Sequence, residues 1–357
     1  TVGIDIGSSK ICCAIGQVSM ANNKIKLLGL ATTKSRGIKR GVITDRDKLI
    51  ETIEKVLTDA EIMANIKITS SYLSITGEHI RSINTQAAIA LNRINGTAGN
   101  VTERSIEQAD IFQVLDLAQA VSLPVDKDIL HTIPQEYVVD TLEEIKNPQG
   151  MMGRRLEARV HLVTAASTAI NNLISCVEEL GITVDGLVFQ PIASALAALE
   201  NDEMDLGVTL VELGSNTTNI AVYHGSALRH SATIPIGSSS ITNDIAVMLQ
   251  ITKKEAENIK INYASALSSM SSDELDINYS PNKESEEKTI SEQEVSQYVE
   301  ARMQEILQMI IREISRADIK DPLTYGIVMT GGGAELRNLA LLIENNLNVK
   351  VRKGKPN

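Results

Sequence analysis

The stretch Val208–Tyr223, VTLVELGSNTTNIAVY, decides how this chain is read. An apolar run, Val208–Leu213, meets a turn of small and hydroxylic residues and leads into a second apolar run, Ile220–Tyr223. That pattern predicts strand, tight turn, strand, with the carboxylate of Glu212 closing the first strand. Near the N-terminus the pattern recurs as Val2–Gly16, VGIDIGSSKICCAIG. Asp5, Gly7, Ser8 and Ala14 fall on Glu212, Gly214, Ser215 and Ala221 without a gap, since 212 − 5 and 221 − 14 both equal 207. Two phosphate-sized turns, each preceded by an acid, predict a duplicated nucleotide-binding core.

The chemistry of the turns follows from their residue types. Backbone N–H groups and Ser or Thr hydroxyls wrap phosphate oxygens, and glycine lets the backbone come close. Gly7, Ser8, Ser9 and Lys10 on one side, and Gly214, Ser215, Asn216, Thr217 and Thr218 on the other, suit a polyphosphate clamped between two lobes. Lys10 adds a point charge for the outer phosphates. Asp5 and Glu212 then face a metal; Mg²⁺ keeps most of its waters and touches few carboxylates. Gln190 opens a helix on the connecting segment, where its amide can orient an attacking water. Gly331, Gly332 and Gly333 follow a buried-strand run and suit close contact with a flat base or a sugar. Neither a G-x-x-x-x-G-K-[ST] loop nor a G-x-G-x-x-G turn is present.

The bulk numbers are compatible with this. A chain of 357 residues with 43% apolar content suits two domains or one duplicated fold, although aromatics reach only 3% and Trp is absent. The net charge of −11 argues against a nucleic-acid surface, which needs clustered Lys and Arg. Cys12, Cys13 and Cys176 fit neither a disulfide framework nor a metal spacing and read as reduced thiols. No apolar run approaches the ~20 residues of a membrane span, and no signal peptide is seen. The first residue is Thr1 rather than Met, which points to a preceding segment.

Along the chain, a third strand is expected at Ile25–Ala31 and an amphipathic helix over 44–64, with Thr44 and Asp47 as candidate caps. Residues 67–160 break the alternation: strand-like pieces at Ser71–Thr76 and Ala87–Leu91, a helix at Glu103–Val121, and the extended DILHTIPQEYVVD before NPQGMMG. This reads as a compact inserted sheet with a helix, in which His131 has no catalytic partner in motif spacing and takes a structural role. A strand at Arg159–Ala165, a Ser167-capped helix stopped by Gly181, a strand at Val184–Phe189 and a helix at Ile192–Leu199 restore α/β order. Beyond Tyr223, Gly237 opens a helix through Leu249, and Thr252–Tyr263 continues helically. Ser268–Lys288 reads as an exposed, mobile loop, and Ser291 with Glu294 caps a long helix to about Arg316. Gly326–Thr330, the glycine triplet, a helix through Leu347 and a strand at Val349–Arg352 complete the chain.

These turns resemble the phosphate-1, phosphate-2 and adenosine motifs of the actin, Hsp70 and sugar-kinase superfamily, with the connecting motif at Phe189–Leu199. Within it, the chain resembles the bacterial cell-division FtsA family. The words that carry the resemblance are GIDIGSSKICCAIG, SRGIKRGVITD, ITGEHIRSIN, DILHTIPQEYVVD, NPQGMMGRRLEARVHLVT, FQPIASALAAL, ELGSNTTNIAVY and IVMTGGGAEL. HxIPQ and NPxGMxGxRLE are the most specific, because they lie in the insert rather than in the shared core.

The resemblance implies an α/β, actin-like, duplicated two-lobe ATPase fold with an inserted α+β subdomain in the first lobe. The expected boundaries are 1–76 with 159–185 for the first-lobe core, and 77–158 for the insert. The second-lobe core takes 186–234 with 305–357, and its outer subdomain 235–304. It also implies ATP and Mg²⁺ in the cleft. Gly7, Ser8, Ser9, Lys10 and Gly214–Thr218 would then lie on phosphate, Asp5 and Glu212 on the metal, and Gln190 in the water-positioning place. Glu257 and Lys260 with Gly331–Gly333 would border the adenosine.

The implied function is a division scaffold that polymerises into filaments. It is expected to bind the FtsZ C-terminal tail on the outer subdomain and to meet later divisome proteins through the insert. By charge, an acidic tail should avoid the acidic Ser268–Lys288 loop and favour a basic helical face that includes Arg302. The implied location is cytoplasmic, at the inner face of the membrane at the division site. The family's amphipathic membrane helix does not appear before Asn357, so attachment to the inner membrane is expected only through a segment outside this sequence.

The phosphate-2 turn departs from the family's D-x-G-G-G-T-T-D, reading E-L-G-S-N-T-T-N. Glu212 is one methylene longer, and Ser215 and Asn216 add Cβ atoms beside the phosphate. Slow or absent ATPase is therefore expected. The other readings are a small-molecule kinase of the sugar or acetate type, which needs a general base not found here, and another actin-like scaffold such as a pilus-assembly protein. A chaperone-type ATPase lacks its substrate-binding domain.

Overall fold

The computed structural model describes residues 1–19, 24–91, 93–94, 101–281, 287–319 and 322–356. Two five-stranded sheets share one strand order. In the first, Thr183–Phe189, Ser70–Ile75, Val2–Ile6, Lys10–Val18 and Ile25–Lys34 lie side by side. In the second the equivalents are Val351–Lys353, Ile327–Thr330, Val208–Leu213, Thr218–His224 and Ala227–Ile234. The central strand of each pairs antiparallel with its hairpin partner and parallel with the strand that returns after a crossover. The expected repeat is present as register: Asp5 opposes Cys12, and Glu212 opposes Asn219, again 207 residues on.

Each sheet needs cover because its central strand carries an apolar face: Val2, Ile4 and Ile6 on the first, and Val208 and Leu210 with Val211 and Leu213 behind them on the second. On the first, the helix Arg46–Ala64 buries Leu49, Ile53, Val56, Leu57 and Ala60 at helical spacing. Its N-cap is Asp45, whose carboxylate accepts from the Lys48 N–H at 3.2 Å, rather than Thr44 or Asp47. On the second, Glu292–Ser315 turns Val295, Val299, Met303, Ile306 and Ile310 inward, capped as expected by Ser291 on the Glu294 N–H. The two lobes join at Phe189, which is fully buried where its strand ends and the helix Gln190–Ala198 begins, with Pro191 in the first turn. His131 accepts the Phe189 N–H on Nε2 at 2.9 Å, which is the structural role expected of it.

The insert is a four-stranded antiparallel sheet, Leu142–Ile145, Lys127–Val139, Arg155–Ala166 and Arg81–Ala90, with the helix Gln108–Gln119 against it. That helix is shorter than expected at its start, because the Glu107 and Asp110 side chains close a capping box there. DILHTIPQEYVVD lies within one long strand whose register slips at Ile129/His131 and Pro134/Glu136. The proline, which has no N–H to give, thus sits beside an irregularity of the ladder.

Two other expectations change. Ser167 lies inside its helix and Ala166 takes the cap position without a side-chain bond. Ser268–Lys288 is no structureless loop: a short 3₁₀ turn at Ser268–Met270 precedes Asp276–Tyr279, which pairs antiparallel with Lys288–Ser291. The alternation of Ile277 and Ile290 buried against polar neighbours outside gave that signal. Residues 282–286 of that stretch lie outside the described residues.

The insert and the second lobe meet along the edge strand Ala227–Ile234, and His161 is completely buried between them. Its Nδ1–H donates to Asn84 Oδ1 at 2.6 Å and its Nε2 accepts from Ser231 Oγ at 2.8 Å, as a neutral imidazole can. Burial first, and the nearby His230 second, push its pKa from 6.5 down to about 3. Unfolding therefore takes up a proton in that range, so stability is full above pH 6.5 and falls as pH drops toward 3. Urea denaturation of His161→Asn at pH 7 and pH 5 is expected to show proton uptake on unfolding reduced by about one.

Candidate functional site

Both turns close in the same way. The Gly7 N–H donates to Lys10 O at 3.1 Å, and the Gly214 N–H to Thr217 O at 3.0 Å. A Cβ on Gly7 or on Gly214 would lie 2.9 Å from that same carbonyl, so neither hairpin closes this way with a larger residue. Among the described residues no acceptor takes the N–H groups of Ser8, Ser9, Ser215 or Asn216. Hydroxyls and free N–H groups at two hairpin tips form a donor set suited to phosphate oxygens. Lys10 is exposed beside the first tip. Ser8 Oγ accepts from the Arg40 N–H at 3.1 Å, which ties the Ser35–Gly41 connection to that turn.

The second turn has a support that sequence reading did not assign. Ser238 and Ser239 N–H groups donate to Gly214 O and Ser215 O at 2.9 and 2.8 Å, and Asn216 Nδ2 donates to Ser239 Oγ at 3.2 Å. The loop at Gly237, at the start of the helix Ser239–Leu249, thus backs the turn. The run GSSS was its only sequence signal. Thr218 departs from its expected place on phosphate: it is fully buried and its hydroxyl donates to Ile236 O at 2.8 Å. Its side chain braces the backing loop, which leaves Gly214–Thr217 at the turn.

Between the turns lies a polar cluster drawn from both lobes. Gln190 Nε2 donates to Glu212 Oε1 at 3.0 Å, and Asn219 Nδ2 donates to Glu212 Oε2 at 3.1 Å and to Gln190 Oε1 at 3.3 Å. Asn219 Oδ1 accepts from Thr76 of the first lobe at 2.7 Å and from Thr233 at 2.9 Å. Asp5 accepts a short hydrogen bond from Ser74 Oγ. Burial holds both carboxyl groups above their usual range, and Asp5 adds to the effect on Glu212, which is pushed up to about 7. Two carboxyls that resist losing their protons invite a cation, whose charge would favour the ionised forms. Among the described residues no group of three or more His, Cys, Asp or Glu side chains is placed to hold a metal. That donor set fits a Mg²⁺ that keeps water and phosphate ligands. Gln190 uses one amide N–H on Glu212 and retains the other.

The glycine triplet divides by role. Gly331 has φ +83°, and a Cβ on it would lie 2.6 Å from Leu213 O; one on Gly333 would strike the Leu213 side chain at 2.4 Å. Gly332 meets nothing within 4 Å and is exposed. A 3₁₀ turn, Gly332–Glu335, follows in place of the expected immediate helix, which begins at Leu339. Glu257 and Lys260 pair with each other at 2.7 Å, and Lys260 also donates to Thr242 Oγ1 at 2.9 Å. Lys260 is thereby engaged within the second lobe, and Glu257 is the more exposed of the two.

Comparisons with known proteins agree with this geometry. A family model described as cell division protein FtsA matches residues 209–357, and one described as the SHS2 domain inserted in FtsA matches residues 77–164. The cell division protein FtsA of Pseudomonas aeruginosa is 38% identical over 355 residues, covering 99% of this chain and 82% of that protein. This chain belongs to the cell division protein FtsA family. FtsA of Escherichia coli is 32% identical over 362 residues, covering 99% of this chain and 84% of that one. Among solved structures, the PilM–PilN type IV pilus biogenesis complex matches with a TM-score of 0.68 at 16% identity, over 99% of this chain and 87% of that one. MreB5 of Spiroplasma citri bound to AMPPNP matches at 0.56 with 13% identity, over 99% and 90%. These likenesses show the actin-like fold, and the inserted SHS2 domain is the FtsA form of it.

Gly214→Ala is expected to destabilise the protein by about 1–3 kcal/mol, because the Thr217 carbonyl must shift. Gly332→Ala, with open space at its Cβ, should stay within about 0.5 kcal/mol of wild type. Urea denaturation of the two variants measures the difference.

Proposed function

We propose that this FtsA-family chain is an actin-like ATP-binding scaffold that polymerises and links the FtsZ ring to the membrane and to later divisome proteins. The observation that carries the nucleotide reading is the pair of equivalent hairpins, with Glu212, Gln190 and Asn219 gathered between them. Gly7, Ser8, Ser9 and Lys10 would hold phosphate on one side and Gly214–Thr217 on the other. Asp5 and Glu212 would hold hydrated Mg²⁺, which when bound neutralises charge on the outer phosphates. Gly331–Gly333 and Glu257 would border the adenosine. MreB5, which has the same fold, is solved with AMPPNP. No helix among the described residues is long and apolar enough to cross a membrane, so the membrane link rests on the family resemblance.

The cluster supports slow hydrolysis. Both Glu212 oxygens are occupied by side-chain amides. A carboxylate so held is slow to reorient toward a metal-bound water. Phosphate release is expected below about 1 s⁻¹, against the ~10 s⁻¹ typical of enzymes. A steady-state assay at saturating ATP·Mg²⁺ checks this, and several turnovers per second would overturn it.

For the FtsZ tail, the second lobe offers a groove of about 370 Å³ lined by Asn243, Val247, Met248, Tyr298 and Ala301, with Asp244, Arg302 and Glu305 at its rim. Arg302 is no free cation: it pairs with Asp244 through Nε and Nη2 at 2.6 and 2.9 Å and also with Glu305. The expected basic face is therefore neutralised, and the exposed apolar pair Val247 and Met248 supplies the attraction. In fluorescence anisotropy with a labelled FtsZ C-terminal tail, Met248→Glu is expected to weaken binding by about tenfold or more. Arg302→Glu should weaken it by collapsing the rim. Tail affinity unchanged in both variants would move the site elsewhere.

A further inference from the structure

The edge strand Ala227–Ile234 touches the cleft at one end and the insert along the rest of its length. Thr233 pairs directly with Asn219 in register, and its hydroxyl donates to Asn219 Oδ1, where Thr76 of the first lobe also donates. Two residues earlier, hence on the same face of the strand, Ser231 donates to His161 Nε2 at 2.8 Å and its carbonyl accepts from Ser82 Oγ. The register then slips past Arg229, which opposes no residue of the neighbouring strand. Such a slip turns a side chain away from the regular alternation. Arg229 reaches Glu136 of the insert at 3.3 Å, and its carbonyl accepts from Asn84 Nδ2 at 3.0 Å. Asn219, Thr233, Ser231, His161 and Glu136 are all buried.

We propose that this strand is a relay, which carries the state of the nucleotide cleft, read at Asn219 and Thr233, to the inserted subdomain through Ser231 and Arg229. The inference rests on the nucleotide reading of the cleft given above. Asn219 holds Glu212 and Gln190, so a charged group arriving on Glu212 competes for the same amide hydrogens. Any resulting shift of Asn219 acts on Thr233 and Thr76 together, because both hydroxyls share one acceptor atom. The strand then moves as a ladder element, and the buried partners at Ser231 follow it or lose their hydrogen bonds. The insert carries the two sequence words most characteristic of this chain, and Gln135 of HTIPQ donates to Leu228 O on the relay at 2.8 Å. The relay thus reaches the part of the molecule most particular to it.

The test is hydrogen–deuterium exchange of wild type, Ser231→Ala and Arg229→Gln with and without ATP·Mg²⁺, with the affinity of each for a fluorescent ATP analogue measured separately. In wild type, nucleotide is expected to slow exchange several-fold across Arg81–Ala90 and Lys127–Val139. In the variants, nucleotide affinity should be retained while that response of the insert is lost. If Ser231→Ala fails to fold, Arg229→Gln, at the half-buried end of the seam, decides alone. An insert that does not respond in wild type despite bound nucleotide overturns the relay. So does a response that persists in the variants, or a variant that loses affinity along with the response. Absence of nucleotide binding by wild type overturns the cleft reading, and the relay with it.

Discussion

The Asn219 carboxamide is 2% exposed and has four hydrogen-bond partners, two on its nitrogen and two on its oxygen. Its orientation is fixed, because Thr76 and Thr233 bring hydroxyl donors while Glu212 and Gln190 bring acceptors. The partners come from the first-lobe strand end, the connecting helix, the central strand of the second lobe and its edge strand. Displacing Glu212 or Gln190 leaves a buried N–H of Asn219 without its acceptor, at a cost of about 1–3 kcal/mol. The geometry of the cleft floor is therefore set jointly by both halves of the duplicated fold.

That duplication explains why the site has two hairpin tips rather than one. Each half supplies an acid near the end of its central strand and a glycine whose N–H closes the hairpin on a carbonyl at 3.1 or 3.0 Å, where a Cβ would be crowded. A single half has one such tip, and the duplication supplies two. The second tip carries Ser215 and Asn216, and the loop at Gly237 backs it with two backbone hydrogen bonds. The larger side chains are accommodated because their outward faces are tied down behind the turn.

The groove on the second lobe follows a different physical rule. Its rim charges cancel locally, since one guanidinium is shared between Asp244 and Glu305. A guanidinium already paired with two carboxylates has little charge left to offer a partner. Between the helices Ser239–Leu249 and Glu292–Ser315 the groove leaves an apolar surface, with Val247 and Met248 exposed.

Much was legible in the residues. The offset of 207 between the two hairpins is visible without coordinates, because strand–turn–strand patterns are local and the turn residues are constrained by backbone close approach. The capped helices are local for the same reason: Ser291 caps its helix through a residue three positions on, and the face of Arg46–Ala64 follows from a period of 3.6. The actin-like core with an inserted sheet was therefore fixed by sequence pattern and motif words. The hydrogen bonds that join Asn219 to Thr76 and His161 to Ser231 span 143 and 70 residues, and no spacing rule predicts them. The burial of Thr218, the neutralisation of Arg302 by Asp244 and the backing of the second turn by Gly237 are equally non-local. Each depends on which side chains two separate elements bring within 3 Å of each other, and only packing in three dimensions decides that.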